Sequence, residues 1–163
     1  MWLYCYKCEK NRNYKTINNN KRNEITGNSH IILKNNSFAE LHNNSHAILN
    51  DNSYVSLYDN SYAILFDNTH AILYHNSFAN LLDNSSALLC INSSAELNDN
   101  SSAKLWNDSS VRLFDDSFAE LYDYSHAELC NNSSAILFDN THIILNEYKS
   151  VKLYDRSYIK KEL

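Results

Sequence analysis

The sequence contains no proline, a single glycine and no apolar run long enough to cross a bilayer. Without Pro and almost without Gly, a chain that turns often must turn on Asn and Asp. Their short polar side chains tolerate left-handed backbone and bond back to the main chain. The lack of an apolar run predicts no membrane insertion. The opening residues, MWLYCYKCEK, meet charge too early for the apolar region of a secretory signal, so a cytoplasmic location is the default expectation. Positive charge is also scarce: 14 Lys and Arg stand against 19 Asp and Glu, a formal net charge of -5. A nucleic-acid partner is therefore not expected, because such proteins need clustered cations to replace counterions on the phosphate backbone. The four cysteines do not resemble the staple set of a small secreted domain. Cys5 and Cys8 form one CxxC, and Cys90 and Cys130 share one position of the repeat described next.

What is present is one eight-residue phrase, repeated in seventeen copies from Gly27 to Leu163. It is plainest at Asp59 to Phe66 (DNSYAILF), Asp67 to Tyr74 (DNTHAILY) and Asp115 to Tyr122 (DDSFAELY). With the positions lettered a to h, position g is Leu in every copy from Leu33 to Leu153, and position c is Ser or Thr in all copies but the one holding Lys149. Position e is Ala, Val or Ile throughout, whereas d and f vary freely. Alternation of this kind is the period of a strand with one face buried. A helix fails the same test, because Leu every eight residues drifts around a 3.6-residue turn. The expected fold is all-β: a single-stranded parallel β-solenoid of stacked octapeptide repeats.

Two octads per coil would give a flat, two-sided solenoid of sixteen residues per turn. Three would give a triangle of twenty-four. With opposed strands, two octads set large Leu at g against small Ser at c, and Ala against Ala at e, which suits a thin close-packed core. That count predicts a rod of about 40 Å at the strand spacing of a sheet. The triangle keeps one argument: FDNT recurs at Phe66 and Phe138, nine octads apart. Position b, mostly Asn, is expected to carry the left-handed backbone and to stack amide on amide. Asp at position a must be well solvated, capped by turn N–H groups or neutralised by cations, because stacked carboxylates repel.

The chain divides into a polar N-terminal cap or linker, residues 1–26, and the repeat region, residues 27–163. Within the first part Ile25 falls one period before Leu33, so residues 11–26 read as a linker or as an eroded copy. The aromatic start, Trp2, Tyr4 and Tyr6, suits a cover for the first coil. Cys5 and Cys8 are the candidate metal ligands, and they supply two of the four that zinc takes; the sequence implies no cofactor. At the other end Lys149, Arg156, Lys160 and Lys161 interrupt the phrase, and charge on an end strand opposes edge-to-edge growth. His126 and Glu128 share an outer face, and outward isoleucines gather towards the two ends of the array, which suggests cover there by terminal segments or another subunit.

The phrase N-S-x-A-x-L-x-D/N resembles the Ala/Ser-rich octapeptide repeats of β-solenoids in bacterial and phage proteins. It is similar, more loosely, to the NSxA-type repeats of trimeric autotransporter adhesin heads. The resemblance covers residues 27–163 and implies a solenoid scaffold on which any function is grafted. Three function classes follow. The first is a non-enzymatic structural or interaction rod that self-associates, or binds a protein partner, through its ends or outer face. The second is a carbohydrate-binding or adhesive surface built from the position-h aromatics Tyr58, Phe66, Tyr74, Trp106, Phe114, Tyr122 and Phe138, since exposed aromatic patches usually mean contact. The third is a polysaccharide-cleaving β-helix enzyme, for which the array lacks an inserted loop.

Overall fold

A computed structural model describes residues 14–145 and 150–160. Cys5, Cys8, the aromatic start, Lys149 and Lys161 lie outside the described residues. Each octad forms a four-residue strand over d to g and then turns over h, a, b and c. The strands run from β3 (His30–Leu33) and β4 (Phe38–Leu41) to β18 (Ser150–Leu153) and the shorter β19 (Tyr158–Lys160). Most turns close with the N–H of c donated to the carbonyl of h, as in Ser61 to Tyr58 at 3.2 Å and Ser101 to Asn98 at 3.1 Å. The c hydroxyl often repeats that bond, for example Ser125 Oγ to the Tyr122 carbonyl at 2.8 Å and Ser133 Oγ to that of Cys130 at 2.6 Å. Others, including Ser101 and Ser117, are buried without a hydrogen-bond partner.

Among the described residues, successive strands alternate between two parallel sheets, one of ten strands and one of nine. Ala87 pairs with Ala103, and Leu89 with Leu105, sixteen residues on. One coil is therefore two octads, and the flat solenoid rather than the triangle is the fold. The FDNT recurrence has no stacking meaning: Phe66 and Phe138 are an odd number of octads apart and fall on opposite edges. We call the ten-stranded sheet, which contains β3, the A face, and its partner the B face. Because four-residue turns link them, strands of the two faces run in opposite directions.

Positions c, e and g point between the sheets and form one core. Leu at g is fully buried from Leu33 to Leu137, and the c hydroxyls from Ser37 to Thr141 are buried beside it. A fully buried Leu contributes about 1.5–3 kcal/mol, so repetition of one residue in one column supplies much of the rod's stability. Ten strands spaced about 4.8 Å apart make it roughly 43 Å long.

Stacking begins before the regular octads. β1 (Lys15–Ile17) and β2 (Arg22–Ile25) extend the two sheets, with Ile17 in register with Leu33 and Ile25 with Leu41. Ile25 is thus the g residue of an eroded copy. At the far end, the charges of Lys152 and Lys160 point outward, in the f column, rather than across the core. Among the described inward positions there, Val151, Leu153 and Ile159 are apolar, and Leu153 and Ile159 are exposed. Of the charges that the sequence places at this end, Lys160 stands at an outward position and Arg156 in a turn, while Lys149 and Lys161, at inward letters of the octad, lie outside the described residues.

Candidate functional site

The turns make two edges, and the sixteen-residue coil sends alternate octads to different ones. Turns that follow B-face strands place His42, Tyr58, Tyr74, Cys90, Trp106, Tyr122, Phe138 and Tyr154 in one h column. Their rings stack nearly parallel: His42 on Tyr58 at 4.7 Å between centroids, Tyr58 on Tyr74 at 5.1 Å, Trp106 on Tyr122 at 5.1 Å, Tyr122 on Phe138 at 4.8 Å and Phe138 on Tyr154 at 5.1 Å. Cys90 occupies the rung between Tyr74 and Trp106. Burial pushes its thiol pKa up, and burial followed by that thiol does the same to the Tyr74 phenol. Five of the seven expected surface aromatics, Tyr58, Tyr74, Trp106, Tyr122 and Phe138, therefore share this aromatic edge. Phe66 and Phe114 stand on the opposite edge, separated in their column by Leu82 and Asn98. The single stripe expected from the octad is two columns, because a coil holds two octads.

The opposite edge carries carboxylates at position a. There the main-chain N–H of Asn35 bonds Asp51 Oδ2 at 2.8 Å, that of Asp51 bonds Asp67 at 3.0 Å, that of Asp67 bonds Asp83 at 3.1 Å and that of Asp83 bonds Asp99 at 3.2 Å. Capping by turn N–H groups is thus how these side chains are accommodated. Position a, not b, carries the left-handed backbone: φ lies between 47° and 64° at the described non-Gly a residues from Asn35 to Asp155. Among the described residues, position b joins it only at Asn76, Asn92 and Asp108, all on the aromatic edge. Hydrogen bonds at this corner run through main chain and position a, as in Asn52 N–H to the Asn35 carbonyl at 3.1 Å. Among the described residues, no amide-to-amide ladder joins successive b side chains.

On the outer faces, d and f side chains also meet their equivalents one coil away. The A face carries a second run of rings at d: Tyr14, His30, His46, Tyr62 and Phe78, with successive centroids 4.9 to 5.7 Å apart. It resumes at His126, stacked on His142 at 5.4 Å, and His142 on Tyr158 at 5.4 Å. Only the sixteen-residue recurrence of rings at d could have revealed these runs in advance. Between them Ser94 and Ser110 leave an open trough of about 380 Å³ flanked by Phe78, Arg112, His126 and Glu128. The B face has its counterpart, about 510 Å³, where Ser86 and Ser102 interrupt the d column before Phe118.

Ion pairs cross the coils beside these troughs. Arg112 Nε donates to Glu128 Oε2 at 2.8 Å, so Glu128 is joined to a cation one coil away. Lys104 Nζ lies 2.8 Å from Glu120 Oε2, to which the Tyr122 hydroxyl also donates at 3.0 Å. The hydrogen bond from Lys104 holds the Glu120 carboxyl below the usual range. Burial holds His126 and His142 below the ordinary imidazole pKa; the second cause for His126 is His142, and for His142 it is Lys160. Ile64, outward by parity, is nonetheless buried at 7% exposure, and the Asn80 amide bonds the Tyr62 hydroxyl beside it at 3.0 Å.

Among the described residues, no group of three or more His, Cys, Asp or Glu is placed to hold a metal ion. They contain no helix long and apolar enough to cross a membrane. Cys90 and Cys130 form no disulfide and stand on opposite edges. The architecture is that of a two-sided repeat β-solenoid, and no protein-family model, curated protein or solved structure matches the chain.

Proposed function

We propose that the chain is a non-enzymatic structural rod, a scaffold or a module of a larger assembly, that makes contacts through its ends or outer faces. One observation carries this reading: the outward side chains engage the coil above or below instead of converging on a point. Rings stack on rings at the same octad position, and the pairs Lys104–Glu120 and Arg112–Glu128 each join residues sixteen apart. The likeness of the octad to repeats in bacterial and phage solenoids supports the same view.

An adhesive or carbohydrate-binding surface is the second reading. It is favoured by the half-exposed ring column of the aromatic edge and by the similarity of the octad to adhesin-head repeats. A polysaccharide-cleaving enzyme would need a cleft, and the contiguous octads from Gly27 onward contain no inserted loop to build one. Thermal melting combined with a glycan array separates the first two. The rod reading expects Tyr58→Ala, Trp106→Ala and Tyr122→Ala each to lower Tm, with no saturable glycan binding by the unsubstituted protein. Saturable binding that disappears in these variants at unchanged Tm would transfer the assignment to the adhesive surface.

A further inference from the structure

The aromatic edge brings a stack of oxidisable rings to a proton acceptor. We propose that it carries a one-electron oxidation: Trp106 gives an electron to a small radical oxidant, Tyr122 returns one to the indole, and Glu120 takes the phenol proton. The proposal goes beyond the rod reading and does not rest on it. Trp106 is the one indole among the described residues, and it is partly exposed, within reach of a diffusing oxidant. Its ring lies 5.1 Å from that of Tyr122, tilted by only 8°, an offset stack with no group between the two faces. The Tyr122 hydroxyl donates to Glu120 Oε2 at 3.0 Å. Among the described residues, no other phenol of this column donates to a carboxylate.

The step balances with the oxidant as its one outside reactant. A radical of the azide or oxyl class leaves as its anion, and Trp106 is left as a radical cation. An electron from Tyr122 restores the indole while the phenol proton moves along its hydrogen bond to Glu120. The products are a neutral phenoxyl radical at Tyr122 and a carboxylic acid at Glu120, which then gives its proton to water. A phenol that has lost an electron is far more acidic than a carboxylic acid. The proton therefore passes to Glu120 even though the hydrogen bond from Lys104 holds that carboxyl below its usual range. An acceptor already in hydrogen-bond reach makes Tyr122, rather than the indole, the place where the oxidation rests.

The placement is particular to this edge. Tyr58, Tyr74, Trp106, Tyr122 and Tyr154 follow one another with at most one other rung between neighbours, a step of no more than about 10 Å at the strand spacing. On the A face, the positions between Tyr62 and Tyr158 in the d column hold Phe78, Ser94, Ser110, His126 and His142. The two phenols there are six rungs apart, about 29 Å, and the Phe and His rings between them resist one-electron oxidation. The carboxylate edge, with Phe66, Leu82, Asn98 and Phe114 in its h column, places no phenol or indole on those rungs.

Pulse radiolysis with the azide radical tests the proposal, on the full chain carrying Trp2→Phe so that Trp106 is its sole indole. The expected result is decay of the indole radical into a phenoxyl radical at a rate independent of protein concentration. Tyr122→Phe keeps the stacked ring and removes the phenol, so the fold is retained. Glu120→Gln keeps an acceptor for the hydrogen bond but takes up no proton. Each should slow the transfer by about tenfold or more, as loss of a positioned base does. Lys104→Met breaks the same ion pair yet leaves the carboxylate, and should not slow it. Tyr124→Phe, at an exposed phenol on the same edge, should leave the rate unchanged. Indole radicals that decay without forming phenoxyl, a rate that rises with protein concentration, or parent rates in Tyr122→Phe or Glu120→Gln would overturn the proposal. Equal slowing by Tyr124→Phe or Lys104→Met would do the same.

Discussion

The carboxylate edge and the aromatic edge are built from the same octad, yet they solve the turn differently. On the carboxylate edge, four consecutive rungs from Asn35 to Asp99 obey one rule: the a residue's N–H is capped by the Asp of the next coil. On the aromatic edge the rule holds for Asn43 with Asp59 at 3.2 Å and for Asp123 with Asp139 at 3.4 Å, and it fails between them. There Ile91 has no side-chain acceptor. The His75 N–H instead bonds the Ile91 main-chain carbonyl at 3.1 Å, and the Asn92 N–H bonds that of Asn107 at 3.2 Å. For the carbonyl to point this way the following peptide must turn over, and Asn92 and Asp108 acquire positive φ. An Asp at position a therefore does more than tolerate left-handed backbone. It caps the neighbouring coil and leaves position b in an ordinary conformation.

The comparison can be broken most strongly at Asp83. Asp83→Ile removes the acceptor for the Asp67 N–H and puts a β-branched residue at left-handed φ, so the expected loss is about 3 kcal/mol from the two terms together. Urea unfolding measures it. A loss below about 1 kcal/mol, less than a single charge-assisted hydrogen bond supplies, would show that the carboxylate ladder is incidental. The converse, Ile91→Asp, should raise stability by about 1–2 kcal/mol by relieving the β-branched strain and restoring the cap. In a structure of that variant Asn92 should return to negative φ; persistence of positive φ would mean that something other than the missing acceptor sets the peptide orientation.

A smaller gain is expected from Cys90→Tyr, which would complete the ring column between Tyr74 and Trp106. Aromatic pairs contribute about 0.5–1.5 kcal/mol beyond burial, and an unchanged or lower unfolding midpoint would mean that the rung is too narrow for a ring. The smallest effect concerns pH and belongs to the A face rather than either edge. His126 and His142 have depressed pKa values in the fold, their facing charges being Asp108 for His126 and Lys160 for His142. The unfolded chain therefore binds protons first. The stability they confer is full above the unfolded imidazole pKa of about 6.5 and falls as pH drops through that value towards the lowered folded pKa. Melting of the wild type should decline over this window more steeply than melting of His142→Phe; parallel curves would sink the assignment.

Much of this was legible in residues. Leu at g and Ser at c fixed the inward columns because strand parity leaves no other way to bury them. Small Ala at e made the two-octad coil the better-packed choice. Ile25, one period before Leu33, marked an eroded copy. What stayed hidden came from the coil rather than the octad. The sequence sets Tyr58 and Phe66 at the same letter, and only the return of the chain after sixteen residues sends them to different edges. Which of a and b is left-handed was equally out of reach, because Asn and Asp tolerate that conformation at either place. The capping bond that decides it links residues in different coils. At the C-terminal end, Lys149, Arg156, Lys160 and Lys161 suggested closure; strand parity sends Lys160 outward, and Lys149 and Lys161 lie outside the described residues.

The alternation of octads between two edges gives the chain a reading frame of sixteen residues. An insertion or deletion of one octad would preserve every inward position and leave the buried core unbroken. Downstream of the change, however, every turn would exchange edges. Deleting residues 99–106 would carry Tyr122, Phe138 and Tyr154 across to the column of Phe66, send Phe114 to the aromatic edge, and shift Asp115 out of its ladder. Growth by two octads keeps both edges in phase. The fold therefore tolerates length changes in one unit and preserves its surface only in the doubled unit, so the surface is far more sensitive to the parity of the array than the core is.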